Sequence, residues 1–118
     1  MKTILVVDDE EDIRETLKVL LEKNNYKTIL AVDGQDCLDK LDKLLPDLVL
    51  LDIMMPGISG WEVASTIKSN SKTKHIPVVF LTGKADDLSR SMGLNGAEDY
   101  IAKPFDPFML LEHIKKWV

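Results

Sequence analysis

The chain has 118 residues, with 45% apolar and 30% charged side chains, which suits one soluble domain burying roughly two thirds of its unfolded surface and gives no reason to invoke disorder. With 15 basic against 20 acidic side chains the net charge is −5, so phosphate backbones are repelled and direct nucleic-acid binding is not expected. A single cysteine, Cys37, excludes an intrachain disulfide and a thiolate metal cluster, and no apolar run approaches the roughly 18 residues of a membrane span.

In chain order, five short β-branched or leucine-rich runs predict strands: Thr3 to Val7, Thr28 to Val32, Leu48 to Leu51, Val78 to Leu81 and Tyr100 to Ala102. Three are almost continuously apolar, as strands covered on both faces are. Helical spacing fills the gaps: Ile13, Leu17, Leu20 and Leu21; Leu38, Leu41 and Leu45; Val63, Ala64 and Ile67; Ala85, Leu88 and Met92; and Leu110, Leu111, Ile114 and Trp117. Ser59 with Glu62 three residues on reads as a capping box, and Asp106-Pro107 as an N-cap followed by proline at the first helical position. Cys37 is expected as a half-buried helix residue, and Lys68 to His75 as a solvated loop. His75 and His113 are far apart with no third ligand, and Trp61 and Trp117 are read as packing residues on helices. One domain over residues 1–118, with strand and helix alternating five times, predicts an α/β fold with a parallel sheet, right-handed crossovers and helices on both faces.

Ligands in such sheets gather at the carboxyl ends of the strands. There the sequence places Asp8 and Asp9 after the first strand, Asp52 after the third, Thr82 after the fourth and Lys103 after the fifth. Each alone has a bland explanation as loop, cap or surface charge. Together they put three carboxylates in one crevice, where each close pair repels by ~4 kcal/mol at 4 Å and an effective dielectric of about 20. A lysine offsets part of that, and a divalent cation with hard oxygen preference offsets more. Mg²⁺ suits best, because it takes a few carboxylates, keeps waters and accepts a phosphate oxygen. A carboxylate, a hydroxyl and a lysine beside such an ion are equipment for phosphoryl transfer, with Asp52 as a candidate nucleophile.

Over its whole length the sequence resembles the receiver domains of two-component response regulators, through "ILVVDDE", "LVLLDIMMPGISG", "VVFLTG" and "GAEDYIAKPFDP". The resemblance implies a flavodoxin-like doubly wound sheet of strand order 2-1-3-4-5 with five helices, the order of the family's chemotaxis member. It implies Asp52 as phosphoacceptor, Asp8 and Asp9 as the acidic pair for Mg²⁺, one of them through water, and the Met54 backbone carbonyl as a further ligand beside Asp52. Thr82 is implied as the switch hydroxyl, Lys103 as the cation pairing with the phosphoryl group, Tyr100 as the aromatic that turns inward when Thr82 moves, and Lys103-Pro104 as a cis peptide. Gly83 stands where the family usually has alanine, while Met54 and Lys84 occupy positions that tune dephosphorylation. An apolar Met54 positions no attacking water, which implies a phosphoryl lifetime that is not short.

The expected function is a phosphorylation-activated signalling switch, not an enzyme acting on an external substrate. A sensor histidine kinase or phosphotransfer protein is the donor, and a downstream protein reads the face of the fourth helix, fifth strand and fifth helix. A cytoplasmic protein without membrane contact is expected, since the N-terminus "MKTILVVDDEED" turns acidic too early for a signal peptide. A monomer is expected because the positions that pair charges across that face in dimeric relatives match Ala85 against Met109 and Ser89 against Glu98, leaving only Asp99 and His113 to pair. A phosphatase of the haloacid dehalogenase type is the alternative, although the residue two beyond Asp52 is Met54 and not a second aspartate. A flavin carrier would need a hydroxyl- and glycine-rich loop where "DDEED" stands.

Overall fold

The computed structural model describes residues 1–83 and 96–118. Five strands, β1 (Thr3–Val7), β2 (Lys27–Ala31), β3 (Leu48–Asp52), β4 (Val78–Thr82) and β5 (Asp99–Ala102), form one parallel sheet in the order β2-β1-β3-β4-β5. Helices α1 (Glu11–Lys23), α2 (Gly34–Leu41), α3 (Gly60–Ser69) and α4 (Pro107–Trp117) are the four among the described residues. The helix expected around Ala85, Leu88 and Met92 lies outside them.

Alternation along the strands separates two cores. Leu5, Val7, Val49, Leu51, Val78 and Phe80 pack on one face against Cys37 and Leu41 of α2 and Val63, Ala64 and Ile67 of α3. Ile4, Val6, Leu48, Leu50, Val79 and Leu81 pack on the other against Leu17 and Leu21 of α1 and Leu110 and Ile114 of α4. All five residues of β3 and of β4 are buried, whereas the edge strands β2 and β5 keep exposed positions, which is why only the inner strands read as continuous apolar runs.

Both caps form. Ser59 Oγ accepts from Glu62 N at 3.3 Å, but the Glu62 carboxylate meets the Ser59 hydroxyl at 3.5 Å instead of closing back on its amide. Asp106 Oδ1 accepts from Phe108 N at 2.8 Å ahead of Pro107. The C-terminal boundary of α2 is shorter than its apolar spacing suggests: the helix ends at Leu41, and Leu45 is exposed just before Pro46, which disfavours helical backbone at the residue preceding it. Val32 likewise falls outside β2 and is exposed. Cys37 is wholly buried, and that burial pushes its thiol up to about 12, so it is an unreactive core residue. The segment from Lys68 is not simply solvated. Lys68 Nζ donates to Ile76 O and Glu98 Oε2, each at 2.7 Å, while Glu98 Oε1 accepts from Val78 N, so this lysine ties α3 to the entries of β4 and β5.

Two glycines shape the turn after β3. Gly57 has φ +80°, and Gly60 donates to Ile53 O at 2.8 Å with its Cα so close to β3 that a Cβ there would lie 2.3 Å from the Asp52 carbonyl oxygen.

Candidate functional site

Strand register sets the crevice. Val7 is level with Leu51, so Asp8 and Asp52 follow side by side; Asp52 is level with Leu81, and Thr82 with Ala102, so Thr82 and then Lys103 step outward along the same rim. Lys103 N donates to Thr82 O at 2.7 Å, and the Lys103-Pro104 peptide is cis.

Asp8 is only 1% exposed, and its polar atoms are engaged on all sides. Its amide donates to Ala31 O at 3.2 Å, Oδ1 accepts from Glu10 N at 2.9 Å, Oδ2 accepts from Lys103 Nζ at 2.9 Å, and its carbonyl accepts from Arg14 Nη1 at 2.7 Å. Asp9 and Glu10 are exposed, and one carboxylate oxygen from each of Asp8, Asp9 and Glu10 lies within 4.8 Å of the others. Asp52 is 5% exposed, with Oδ1 3.6 Å from Lys103 Nζ. Glu10, Asp52, Met54, Gly83 and Lys103 line an open cavity of about 280 Å³ over this rim. Met54 is exposed, and among the described residues nothing beyond its chain neighbours stands within 4 Å of where a Cβ on Gly83 would be.

Burial, and next the charge of Asp8, push the Asp52 carboxyl up to about 6, with Asp9 adding to the rise and Lys103 opposing it. Burial disfavours the charged Lys103 ammonium, but its hydrogen bond to Asp8 and the charges of Asp52, Asp8 and Glu10 outweigh that and hold it above the ordinary lysine range. Among the described residues, the rim thus sets one lysine against the carboxylates of Asp8, Asp9, Glu10 and Asp52, all hard oxygen donors. That donor set and its uncompensated charge fit a hard divalent cation of the Mg²⁺ kind.

The structure places Asp8, Asp9, Asp52, Met54 and Lys103 around this rim, with Thr82 beside Lys103 in the register. Tyr100 does not join them. It is 40% exposed on β5 and lines a separate open cavity of about 360 Å³ with Pro104, Phe105, Met109 and His113. Lys84 lies outside the described residues. Two contributors escaped sequence reasoning. Glu10 sat in an acidic run readable as solvent chemistry, though its place two residues past a strand-end aspartate was a signal. Arg14 had none, because nothing in sequence says that a helical arginine turns back onto a carbonyl.

The fold and the site define a doubly wound α/β domain with an acidic, lysine-anchored crevice at its topological switch point. A family model described as "Response regulator receiver domain" matches residues 4–115, and the chain belongs to that family, the receiver domains of two-component systems. Among its relatives is the phosphate regulon transcriptional regulatory protein PhoB of Escherichia coli, 44% identical over 115 residues, which are 97% of this chain and 50% of PhoB. The chain thus spans about half the length of the curated relatives it matches. Among solved structures, the response regulator TrrA of Thermotoga maritima, in complex with Mg²⁺-BeF, superposes with a TM-score of 0.91 at 41% identity over all of both chains. The chemotaxis response regulator CheY4 of Vibrio cholerae gives 0.92 at 29% identity over 100% of this chain and 99% of its own. The family assignment leaves the phosphatase alternative without support.

Proposed function

We propose that Asp52 accepts a phosphoryl group from the phosphohistidine of a sensor kinase or phosphotransfer protein, and that the modified domain signals to a downstream protein. The observation that carries this reading is a carboxylate at the end of a wholly buried strand, opening onto a cavity it shares with Lys103 and the acidic turn. An Asp52 oxygen attacks phosphorus, the P–N bond breaks, and the leaving imidazole takes the electron pair. Lys103, held charged by Asp8 and Asp52, pairs with the incoming phosphoryl oxygens, and Thr82 donates its hydroxyl to them. Asp8, Asp9, Asp52 and the Met54 carbonyl are the residues that would hold Mg²⁺, whose chemistry there is neutralisation of phosphoryl charge; that TrrA was solved with Mg²⁺-BeF supports the choice of ion.

Relief of the Asp8–Lys103 and Asp52–Lys103 contacts and movement of Thr82 would be read on the outer face, where Tyr100 turns from its exposed position toward the space beside Thr82. Among the described residues, the partner docks on β5 and α4. A cytoplasmic setting follows from a kinase-fed switch, and no helix among the described residues is long and apolar enough to cross a membrane. The test is transfer of labelled phosphate from a phosphorylated histidine kinase: label resisting acid but lost to hydroxylamine, as an acyl phosphate is, supports the reading, and label on any other residue overturns it.

A further inference from the structure

We propose that Arg14 is a positioning residue for the acidic turn, holding the peptide from which Asp9 projects so that a divalent cation finds its ligands preset; the inference rests on the receiver reading of this site. Asp8 is the first residue beyond β1, and its carbonyl opens the peptide unit leading to Asp9. Because a peptide unit is planar, a bond to that oxygen fixes the plane on which the Asp9 Cα is rooted. Arg14 Nη1 supplies the bond at 2.7 Å. On the other side of Asp9, Glu10 N is held by Asp8 Oδ1 at 2.9 Å. Asp9 therefore sits between two anchored peptides while its own carboxylate faces solvent, which is the condition of a ligand placed before the ion arrives.

The position of Arg14 in α1 explains how it reaches. Its amide donates to Glu10 O at 3.1 Å in the first helical turn, and helical side chains lean toward the N-terminus, so a long side chain there runs back under the turn. Arg14 is half-buried, and the bond of its guanidinium to a carbonyl is charge-assisted. It also acts on the neighbouring turn. Burial would raise the Asp36 carboxyl, but the Val32 amide, Lys40 and the charge of Arg14 outweigh it and keep it below the ordinary range. Asp36 Oδ2 in turn accepts from Val32 N at 2.9 Å, just past β2. The direct bond of Arg14 is to the turn after β1; at the turn after β2 it contributes only its charge.

Calorimetric Mg²⁺ titration of the whole chain as wild type, Arg14→Ala, Arg14→Gln, Arg14→Lys and Leu17→Ala tests the role, with urea unfolding in chelator run on each. Arg14→Ala and Arg14→Gln are expected to bind Mg²⁺ about tenfold more weakly, as loss of a group supporting a metal ligand typically does. Arg14→Lys, which keeps one charged donor, recovers part of that loss. Leu17→Ala, destabilised by a cavity in the core beside α1, keeps wild-type affinity in its folded fraction. Excess Mg²⁺ restores the rate at which Asp52 of Arg14→Ala is phosphorylated. Wild-type affinity in Arg14→Ala and Arg14→Gln, or an equal loss in Leu17→Ala, overturns the positioning role and leaves the receiver reading standing. A wild-type chain that binds no Mg²⁺ overturns both.

Discussion

Lys103 Nζ lies 2.9 Å from Asp8 Oδ2 across a sequence separation of 95 residues, joining the end of the first strand to the end of the last. The same nitrogen is 3.6 Å from Asp52, so one cation serves two carboxylates that would otherwise repel, and it is already in place for a third anionic group. The two roles in this rim are separable. Lys103→Ala removes no metal ligand and frees Asp8 Oδ2, so Mg²⁺ affinity is expected to hold or rise while the response to phosphorylation is impaired. Asp9→Ala is expected to weaken Mg²⁺ by about tenfold or more. Trp61, the second residue of α3, which meets Phe80 edge-on at 5.2 Å, is a fluorescence reporter for the titration. Equal loss of metal affinity in both variants would contradict the division of roles.

The raised Asp52 carboxyl makes a stability prediction with a definite sign. Its folded value of about 6 exceeds the ordinary 3.8, so between those values the folded state binds more protons than the unfolded, and stability falls as pH rises through that window. Above about pH 6 the full cost is in force, on the order of 2–3 kcal/mol for such a shift. Asp52→Asn is therefore expected to be more stable than wild type at pH 7.5 by up to about that amount, the gain fading toward pH 4. Urea unfolding at both pH values checks it, and a gain independent of pH would show that the charge of Asp52 is not its source. Mg²⁺ is expected to raise the wild-type midpoint at pH 7.5 and not that of Asp52→Asn to the same extent.

Gly60→Ala tests how tightly the turn after β3 is set. A Cβ placed 2.3 Å from the Asp52 carbonyl forces α3 or β3 to move, at a cost of about 1–3 kcal/mol as overpacking commonly shows. Because the clash is with the backbone of Asp52 itself, phosphorylation is expected to slow as well. Gly83→Ala, with no described residue beyond its chain neighbours within 4 Å of the new methyl group, is expected to be neutral to stabilising. Thermal unfolding and acetyl phosphate labelling of both variants measure the contrast.

Much of this was legible because strand ends are punctuated. The two central strands are apolar throughout, so Asp52 and Thr82 stood out as the first polar groups where each run stops, and parallel topology carried them to one rim. Boundaries moved by one residue in inner and edge strands alike: Asp52 and Thr82 close β3 and β4 as their last residues, while Val32 falls outside β2 and Asp99 joins β5, where half-exposed runs lack a sharp apolar boundary. What sequence did not disclose are side-chain-to-backbone ties. Lys68 looked like the start of a basic solvated loop, yet its methylenes cross to Glu98, 30 residues on, and Arg14 turns back to Asp8; both depend on side-chain direction, which periodicity does not encode.

Among the described residues, Glu98 and Asp99, which stand at the pairing positions of the outer face, are engaged within the chain. Glu98 is held by Lys68, and Asp99 Oδ2 meets His113 Nδ1 at 2.7 Å and Trp117 Nε1 at 3.2 Å. Burial would raise the Asp99 carboxyl, but those bonds outweigh it and keep it below the ordinary range, so at neutral pH it stays an engaged anion. The partner positions Ala85 and Ser89 lie outside the described residues. The domain is accordingly expected to stay monomeric when activated by beryllofluoride at high micromolar concentration. Light scattering that shifts to dimer mass would sink this expectation and point to a symmetric output mode.

The most direct test of the central claim is intact-mass measurement after incubation with acetyl phosphate and Mg²⁺. Wild type is expected to gain one phosphoryl group, Asp52→Asn none, and wild type with chelator none. Undiminished labelling of Asp52→Asn, or labelling indifferent to the chelator, would contradict the assignment of Asp52 as a metal-assisted phosphoacceptor.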